Sequence, residues 1–385
     1  MKARLFGHLD LTALLDAATS PELMRSIALH GEQVARDDRA ICALIGLPQY
    51  GAGLSREADV APPVGLAASV LAGWHEHGVD LTARLGGSYA LVIVDTVRRS
   101  AFLAVDRFAI ETLCFFADAR TLAFADRADC ITAHDQQLDQ QAIFDYLYFH
   151  MIPAPRTVFR HVRRLPAAHA LLVDRQGVRE IRHWPLRFDE QHRPSFDAAR
   201  DSFRGLIRDS VAEQLAGQHR VGAFLSGGTD SSTVAGMLCQ ITGTAAPVFS
   251  IGFDAEGYDE MEYARIAARH FGCEHHEYYV TPADLLASIP AVAQHHDQPF
   301  GNSSALPAYY CAQVAKADGC SKMLAGDGGD ELFGGNSRYA MQRLFEFYHS
   351  VPQAIRQAIE PMCADGSPLR RIPGLKQATG YVRHS

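Results

Sequence analysis

No Cys-x-x-Cys pair occurs anywhere in the 385 residues. The eight cysteines stand apart at positions 42, 114, 130, 239, 273, 311, 320 and 363. That disfavours a zinc ribbon and a thioredoxin-type redox pair, and leaves scattered reduced thiols as the simplest reading. Also missing is any run of about 18 apolar residues, the length that crosses a bilayer. Lys2 and Arg4 open the chain, but Asp10 and Asp16 interrupt the apolar residues after them, which argues against a secretory signal. Positive charge is in deficit: 36 Lys+Arg against 44 Asp+Glu give a formal net charge of −8. Sequence-independent nucleic-acid binding needs the opposite balance. Tryptophan is scarce, and Trp74 and Trp184 read as packing residues. What is present, 48% hydrophobic and 21% charged residues, is the balance of a globular protein. At about 150 residues per domain the length predicts two domains, and a cytoplasmic protein is expected.

The first half carries strand signals. Tyr89–Asp95 and Ala101–Val105, joined by the polar turn 96–100, read as an antiparallel hairpin. Leu113–Phe116 and Thr121–Ala125 read as a second pair bent at Asp118, and His169–Val173 as a further strand ended by 174–177. Between them, Ile143, Phe144, Leu147 and Tyr148 recur at helical spacing over Gln140–Phe149. This half is α+β with an antiparallel sheet. Proline and charge crowd residues 184–194, so the boundary is set there: 1–190 and 191–385. The second half alternates helix and strand: helix 196–215, strand 221–225, helix 231–241, strand 247–252, helix 260–271, strand 275–280, and a helix entered at Thr281-Pro282. Near-continuous apolar strands alternating with helices predict an α/β domain with a parallel sheet.

Two loops carry the chemistry. Leu225-Ser-Gly-Gly-Thr-Asp-Ser-Ser232 lies where a strand hands over to a helix. Gly227 and Gly228 let backbone approach a ligand, the helix N-terminus adds N–H donors, and Ser226, Ser231 and Ser232 add hydroxyls, which together make an anion site. A Walker A lysine is absent and Asp230 stands in the loop instead, so a cation, Mg²⁺, is inferred between carboxylate and phosphate. The second loop, Leu324-Ala-Gly-Asp-Gly-Gly-Asp-Glu-Leu-Phe-Gly-Gly335, threads Asp327, Asp330 and Glu331 with glycine. Carboxylates so crowded call for a metal or cationic partner. Loops at the carboxyl ends of neighbouring parallel strands converge on one crevice, so Asp230 and Asp330 are expected to hold Mg²⁺ from two sides. Asp327 and Glu331 are the catalytic candidates, Asp327 as proton acceptor or as stabiliser of a cationic nucleophile. Among the 18 histidines, the pairs 275–276 and 295–296 point apart on either a strand or a helix, and read as surface or satisfied residues rather than chelators. Arg160–Arg164 reads as a solvated or interdomain face.

Ser226-Gly-Gly-x-Asp-Ser-Ser232 resembles the PP-loop of ATP pyrophosphatases, and with the second loop the chain resembles the asparagine synthetase family. Phe249–Phe253, Tyr258-Asp-Glu260, Tyr263-Ala-Arg265, His275–Tyr279, Asp297-Gln-Pro-Phe300 and Ser303-Ser304 follow in that family's order. Leu85-Gly-Gly87, Val105–Phe108, Pro155–Phe159 and Arg164–Pro166 are similar to its glutaminase domain. The resemblance implies an Ntn-hydrolase-like antiparallel sandwich followed by an adenine nucleotide α-hydrolase-like domain. It implies ATP along Leu225, Ser226, Gly227, Gly228, Thr229, Asp230, Ser231, Ser232, Ile251, Gly252, Ala325 and Gly326, with Mg²⁺ on Asp230 and Asp330. The implied chemistry is activation of a carboxylate (aspartate in the family) as acyl-adenylate, then attack by ammonia.

Three departures shape the expectations. Family glutaminases use a Cys exposed after Met removal, whereas residue 2 is Lys2 and the nearest cysteine is Cys42, so the first domain is expected to be inert. Asn336 and Asn302 stand where Tyr and Asp are common near the substrate pocket. Family synthetase domains also run on to a later Lys near the phosphates; here Lys376 lies in a basic tail (Arg370, Arg371, Arg383), and the second domain is expected to be incomplete. The partners expected are a small carboxylate and ammonia or another amine, with no nucleic acid and no membrane. A homodimer or a partner supplying the missing C-terminal part completes the expectation. The alternatives are a truncated non-catalytic homologue and a β-lactam synthetase or peptide cyclase-like ligase. A tRNA-modifying PP-loop enzyme would need a basic surface and paired cysteines, and neither is present.

Overall fold

The strand signals of the first half resolve, in a computed structural model, into two antiparallel sheets. The structure describes residues 2–16, 27–50, 65–131, 137–189, 191–215, 220–254, 259–335 and, singly or in pairs, 339, 346, 351–352 and 355–356. Tyr258, Asn336, Cys363, Arg370, Arg371, Lys376 and Arg383 lie outside them. The elements of the first half are β1 (Phe6–Asp10), α1 (Leu11–Asp16), β2 (Leu29–His30), β3 (Gln33–Arg36), β4 (Ala40–Tyr50), α2 (Leu66–His77), β5 (Leu85–Asp95) and β6 (Ser100–Val105). They continue with β7 (Cys114–Ala117), β8 (Thr121–Ala125), α3 (Gln140–Phe149), β9 (Arg163–Arg164), β10 (His169–Asp174) and β11 (Gly177–Arg182). One sheet runs β2-β1-β8-β7-β9 and the other β11-β10-β6-β5-β4-β3.

The two-residue period of a strand decides what each face meets. Ile41, Ala43 and Ile45 of β4 and Ala90, Val92 and Val94 of β5 share a core with Leu9, Phe115, Leu122 and Phe124 from the other sheet. Their neighbours Cys42, Leu44, Tyr89, Leu91 and Ile93 face the opposite way, onto Val70, Leu71 and Trp74 of α2. The six-stranded sheet is therefore covered on both faces, by a second sheet and by a helix. The expected hairpin forms with Asp95 opposite Ser100. Fully buried Asp95 is satisfied there: Trp74 Nε1 donates to it at 2.9 Å, and the turn N–H groups of Val97 and Arg98 at 3.0 and 2.7 Å. At the next turn Asp118 accepts from the N–H groups of Arg120 and Thr121. Helix α3 spans the predicted residues, but Ile143, Phe144, Leu147 and Tyr148 are exposed on it. It docks instead through small Ala142 and part of Tyr146, onto Ile152 and Val158.

The second half gives α4 (Phe196–Leu215), β12 (Val221–Phe224), α5 (Thr229–Thr242), β13 (Pro247–Phe253), α6 (Met261–Phe271), β14 (Glu274–Val280), α7 (Pro282–His295), α8 (Ala305–Ala317), β15 (Lys322–Leu324) and α9 (Gly329–Phe333). Its sheet is parallel throughout, in the order β14-β13-β12-β15. The chain steps outward from β12 to β14 and then returns to the other side of β12. The strand order thus reverses between β12 and β15, and an open parallel sheet takes ligands at such a point, outside its carboxyl ends.

The chain divides into two units that differ from the expected halves. One joins Met1–Phe196 with Pro282–Tyr309, and the other joins Asp197–Thr281 with Tyr310–Ser385. The cause of the return is visible in hydrogen bonds. The last carbonyls of a helix have no partner inside it, and Arg127 donates to those of His295 at 2.5 Å and His296 at 3.2 Å. Asp297 accepts from Ala128 N at 2.7 Å and from Arg164 at 2.5 Å, and Gly301 N donates to His150 O at 2.7 Å. Arg164, read as a solvated or interdomain residue, is thus an anchor for Asp297. Among the described residues no helix is long and apolar enough to cross a membrane.

Candidate functional site

Leu225 follows β12, Ile251 lies in β13 and Ala325 follows β15, so all three stand toward the carboxyl edge of adjacent strands. From that edge the first loop turns into α5. Gly227 sits at φ +84°, where a side chain is strained, and a Cβ there would run into the backbone of Tyr263 and Ala264 at the start of α6. The loop is closed by its own serines: Ser226 Oγ and Ser231 Oγ lie 2.9 Å apart, Ser231 Oγ accepts from Ser226 N at 3.2 Å, and Gly228 N donates to Ser226 Oγ at 3.3 Å. Ser232 Oγ is buried with no hydrogen-bond partner among the described residues. Thr229 is exposed and Asp230 half-buried in the first turn of α5.

The second loop meets the first. A Cβ on Gly326 would lie 2.8 Å from both Asp230 Cβ and Ser231 N, and one on Gly329 would strike the Asp230 carboxylate. The two glycines are what allow the loops after β12 and β15 to touch. Asp330 is half-buried and its carboxylate packs against Gly335; Asp327 and Glu331 are exposed, with Tyr339 Oη 3.5 Å from Glu331. Gly252 is buried under the ring of Tyr279, and Ile251 packs with Phe224, Phe249 and Met323. Leu225 differs from the rest of the expected nucleotide set. Its side chain is in the core, its N–H donates to Phe249 O at 2.9 Å, and its carbonyl accepts from Ser250 Oγ at 2.6 Å.

That last bond begins a relay that the sequence motifs contained but did not reveal. Ser250 spends its one proton on Leu225 O, so His275 Nε2, 2.7 Å away, must donate to Ser250 Oγ. Burial pushes the His275 pKa down, and Arg265 and His276 add to this against the opposing pull of Glu277. Arg265 in turn holds the Glu277 carboxyl below its usual range. A signal existed in the alternation of β13, where Ser250 occupies a buried position between Phe249 and Ile251.

The residues at the loops suit a bound polyphosphate and its cation: an unpartnered buried hydroxyl, a glycine turn entering a helix N-terminus, and carboxylates that follow two adjacent strands. Among the described residues, the three ligands close enough to share one ion lie elsewhere. Glu274, His276 and Asp318 bring their ligand atoms within 4.8 Å of one another at the amino end of the sheet. A cation already sits there, since Arg220 bonds Glu274 at 3.1 Å and Asp318 at 2.5 Å. His276 also stacks on Phe249, with ring centroids 4.7 Å apart. In the other unit a cleft of about 530 Å³ is lined by Tyr146, Val292, His296, Phe300, Asn302 and Ser303 among others.

Comparison with known proteins matches residues 202–378 to the asparagine synthase family and residues 67–184 to the glutamine amidotransferase domain. A Mycobacterium bovis protein with the provisional name asparagine synthetase (glutamine-hydrolysing) is 28% identical over 327 residues, covering 81% of this chain and 48% of its own length. Asparagine synthetase (glutamine-hydrolysing) 1 of Bacillus subtilis is 25% identical over 298 residues, 75% of this chain and 46% of its own. The chain thus spans about half the length of these relatives. Among solved structures, an NH3-dependent NAD synthetase from Campylobacter jejuni overlaps 37% of this chain and 62% of its own at 12% identity and a TM-score of 0.26.

Proposed function

We propose, from the premise that this chain belongs to the asparagine synthetase family, that the unit built on β12–β15 is an ATP-dependent amide-forming ligase. The observation that carries the reading is the packing of Gly326 and Gly329 onto Asp230, which brings the serine loop and the acidic loop together at the reversal of strand order. In this reading a carboxylate oxygen attacks the α-phosphorus of ATP, giving an acyl-adenylate and pyrophosphate. An amine then attacks the acyl carbon, giving an amide, AMP and a proton. The first step replaces a poor leaving group by AMP.

The loop residues 226–232 bind the pyrophosphate with backbone N–H groups and hydroxyls, Ser232 Oγ finding there the partner it lacks. Ile251, Gly252, Ala325 and Gly326 flank the nucleotide, and Leu225 holds the loop from behind through its carbonyl. Asp230 and Asp330 would hold Mg²⁺, which when bound offsets the charge on the phosphates. Asp327, exposed in the acidic loop, takes the proton from the attacking amine, and Glu331, exposed in the same loop, is the second catalytic candidate. The reading extends to the first unit as a scaffold. Burial pushes the thiols of Cys42 and Cys114 up to about 12 and about 11, far from the thiolate that glutamine hydrolysis requires.

The test is ATP–pyrophosphate exchange across a panel of carboxylic acids that includes aspartate. Exchange with one acid, lost in Asp230→Asn, supports the ligase; nucleotide binding without exchange for any acid favours a non-catalytic homologue. Exchange with other acids but not aspartate assigns the chain to the β-lactam synthetase or peptide cyclase type. No glutamate should be released from glutamine.

A further inference from the structure

Helices α5 and α6 run side by side in the same direction, and three contacts mark their course. Gly227 leans on Tyr263 and Ala264 where both begin, and Gly236 is covered by the ring of Phe271 further along. At the far end Cys239 Sγ lies 3.5 Å from Cys273 Sγ. Both cysteines are half-buried, so a small oxidant reaches them, while Cys42, Cys114 and Cys311 are buried. Among the described residues this is the one pair of thiols in contact. We propose that Cys239 and Cys273 are a reversible disulfide site, closed by a hydroperoxide, that fastens the far ends of the helix pair whose near ends shape the 226–232 loop.

The surroundings permit closure. Cys273 follows Gly272, which ends α6 at φ +68°, and precedes β14, so it belongs to a short connection and not to a helix interior. Burial and the hydrogen bond to Cys239 push the Cys273 thiol up to about 12. Both sulfurs are half-buried and closure can begin at either; from Cys239 it takes two steps. Cys239 attacks the peroxide O–O bond, giving a sulfenic acid and releasing water from hydrogen peroxide. The Cys273 sulfur then attacks the sulfenic sulfur, its proton leaves with the hydroxyl as a second water, and the S–S bond forms. The two thiols lose two electrons and hydrogen peroxide accepts both. Scattered thiols in sequence are thus one pair in space.

The test treats the full chain with hydrogen peroxide under native conditions and maps peptides without reduction. The proposal expects a mass loss of about 2 Da, a linked peptide joining 239 to 273, and reversal by dithiothreitol. It also expects the melting midpoint to rise by about 5 °C, because the bridge closes a long loop of the unfolded chain. Cys239→Ser and Cys273→Ser should each abolish both changes. Sulfinic acid at Cys239 with no linked peptide would overturn it, and so would a link that forms only after the chain is unfolded in urea.

Discussion

Two of the three sheets, one from each unit, are built for different ends. The six-stranded sheet of the first unit is covered on both faces, and its strands β5 and β6 are almost wholly buried. Its one deeply buried acid on that hairpin, Asp95, has every oxygen engaged. The four-stranded sheet of the second unit is small, β15 spanning only three residues, and its polar groups gather beyond the strand ends. There Ser232 Oγ is left without a partner and carboxylates stand half-buried or exposed. Buried atoms without a hydrogen-bond partner among the described residues occur in both units, His75 Nδ1, Tyr89 Oη and His183 Nδ1 in the first; what sets Ser232 Oγ apart is its place beside half-buried carboxylates beyond the strand ends, where a ligand can satisfy it.

Mutations can break this contrast. The largest effect expected is Phe102→Ala, fully buried under Trp74 at 5.0 Å, which should cost about 3–5 kcal/mol of stability while the exchange rate per folded molecule is kept. Denaturant titration beside the exchange assay checks it, and a large loss of exchange in a folded variant would dissolve the division of labour. Next, Gly329→Val should drive a side chain into the Asp230 carboxylate and lower exchange about 100-fold, since an ångström of displacement at a site costs that much. Gly205→Ala, with nothing near its Cβ in α4, is the control and should leave exchange unchanged.

A smaller effect is expected at His275. Burial lowers its folded pKa below 6.5, so below that pH the unfolded chain binds more protons than the folded one. The stability it contributes is complete above about 6.5 and is lost as pH falls through the folded value. Melting midpoints from pH 7.5 to 5 should therefore fall less steeply in His275→Gln, by an amount worth below about 1 kcal/mol for a group only partly buried. Smallest of all should be Arg220→Gln at the amino edge. Its ion pairs are solvent-exposed, so the unfolding free energy from urea titration should fall by less than about 1 kcal/mol and exchange should not change. A large loss of exchange there would mean that the amino edge, too, does chemistry.

The sequence made some of this legible and hid the rest. Hairpins closed by local side-chain bonds, such as Asp118 at its turn, follow from neighbours in the chain and were readable. So were strand-to-helix handovers of the second half, as at Gly227-Gly228 and at Thr281-Pro282. The meeting of the serine and acidic loops was expected from their places at strand ends, and Gly326 and Gly329 supply the contact. Four apolar residues of α3 mark its helical period and yet are exposed, because periodicity reveals a helix but not which side finds a partner. The Ser250–His275 relay depends on the pairing of β13 with β14, a long-range register that no local pattern encodes. Asp297 looked like part of the synthetase half, and only the spatial reach of Arg127 and Arg164 shows which unit holds it.

That hold has a consequence for biogenesis. The unit that begins at the start of the chain receives α7 only after Asp197–Thr281 has been synthesised. On the ribosome it stays unfinished until Tyr309 has emerged, with Arg127 and Arg164 waiting for their acceptors. Expressing residues 1–196 alone should therefore yield an unstable fragment, and adding Pro282–Tyr309 as a separate peptide is the way to repair it.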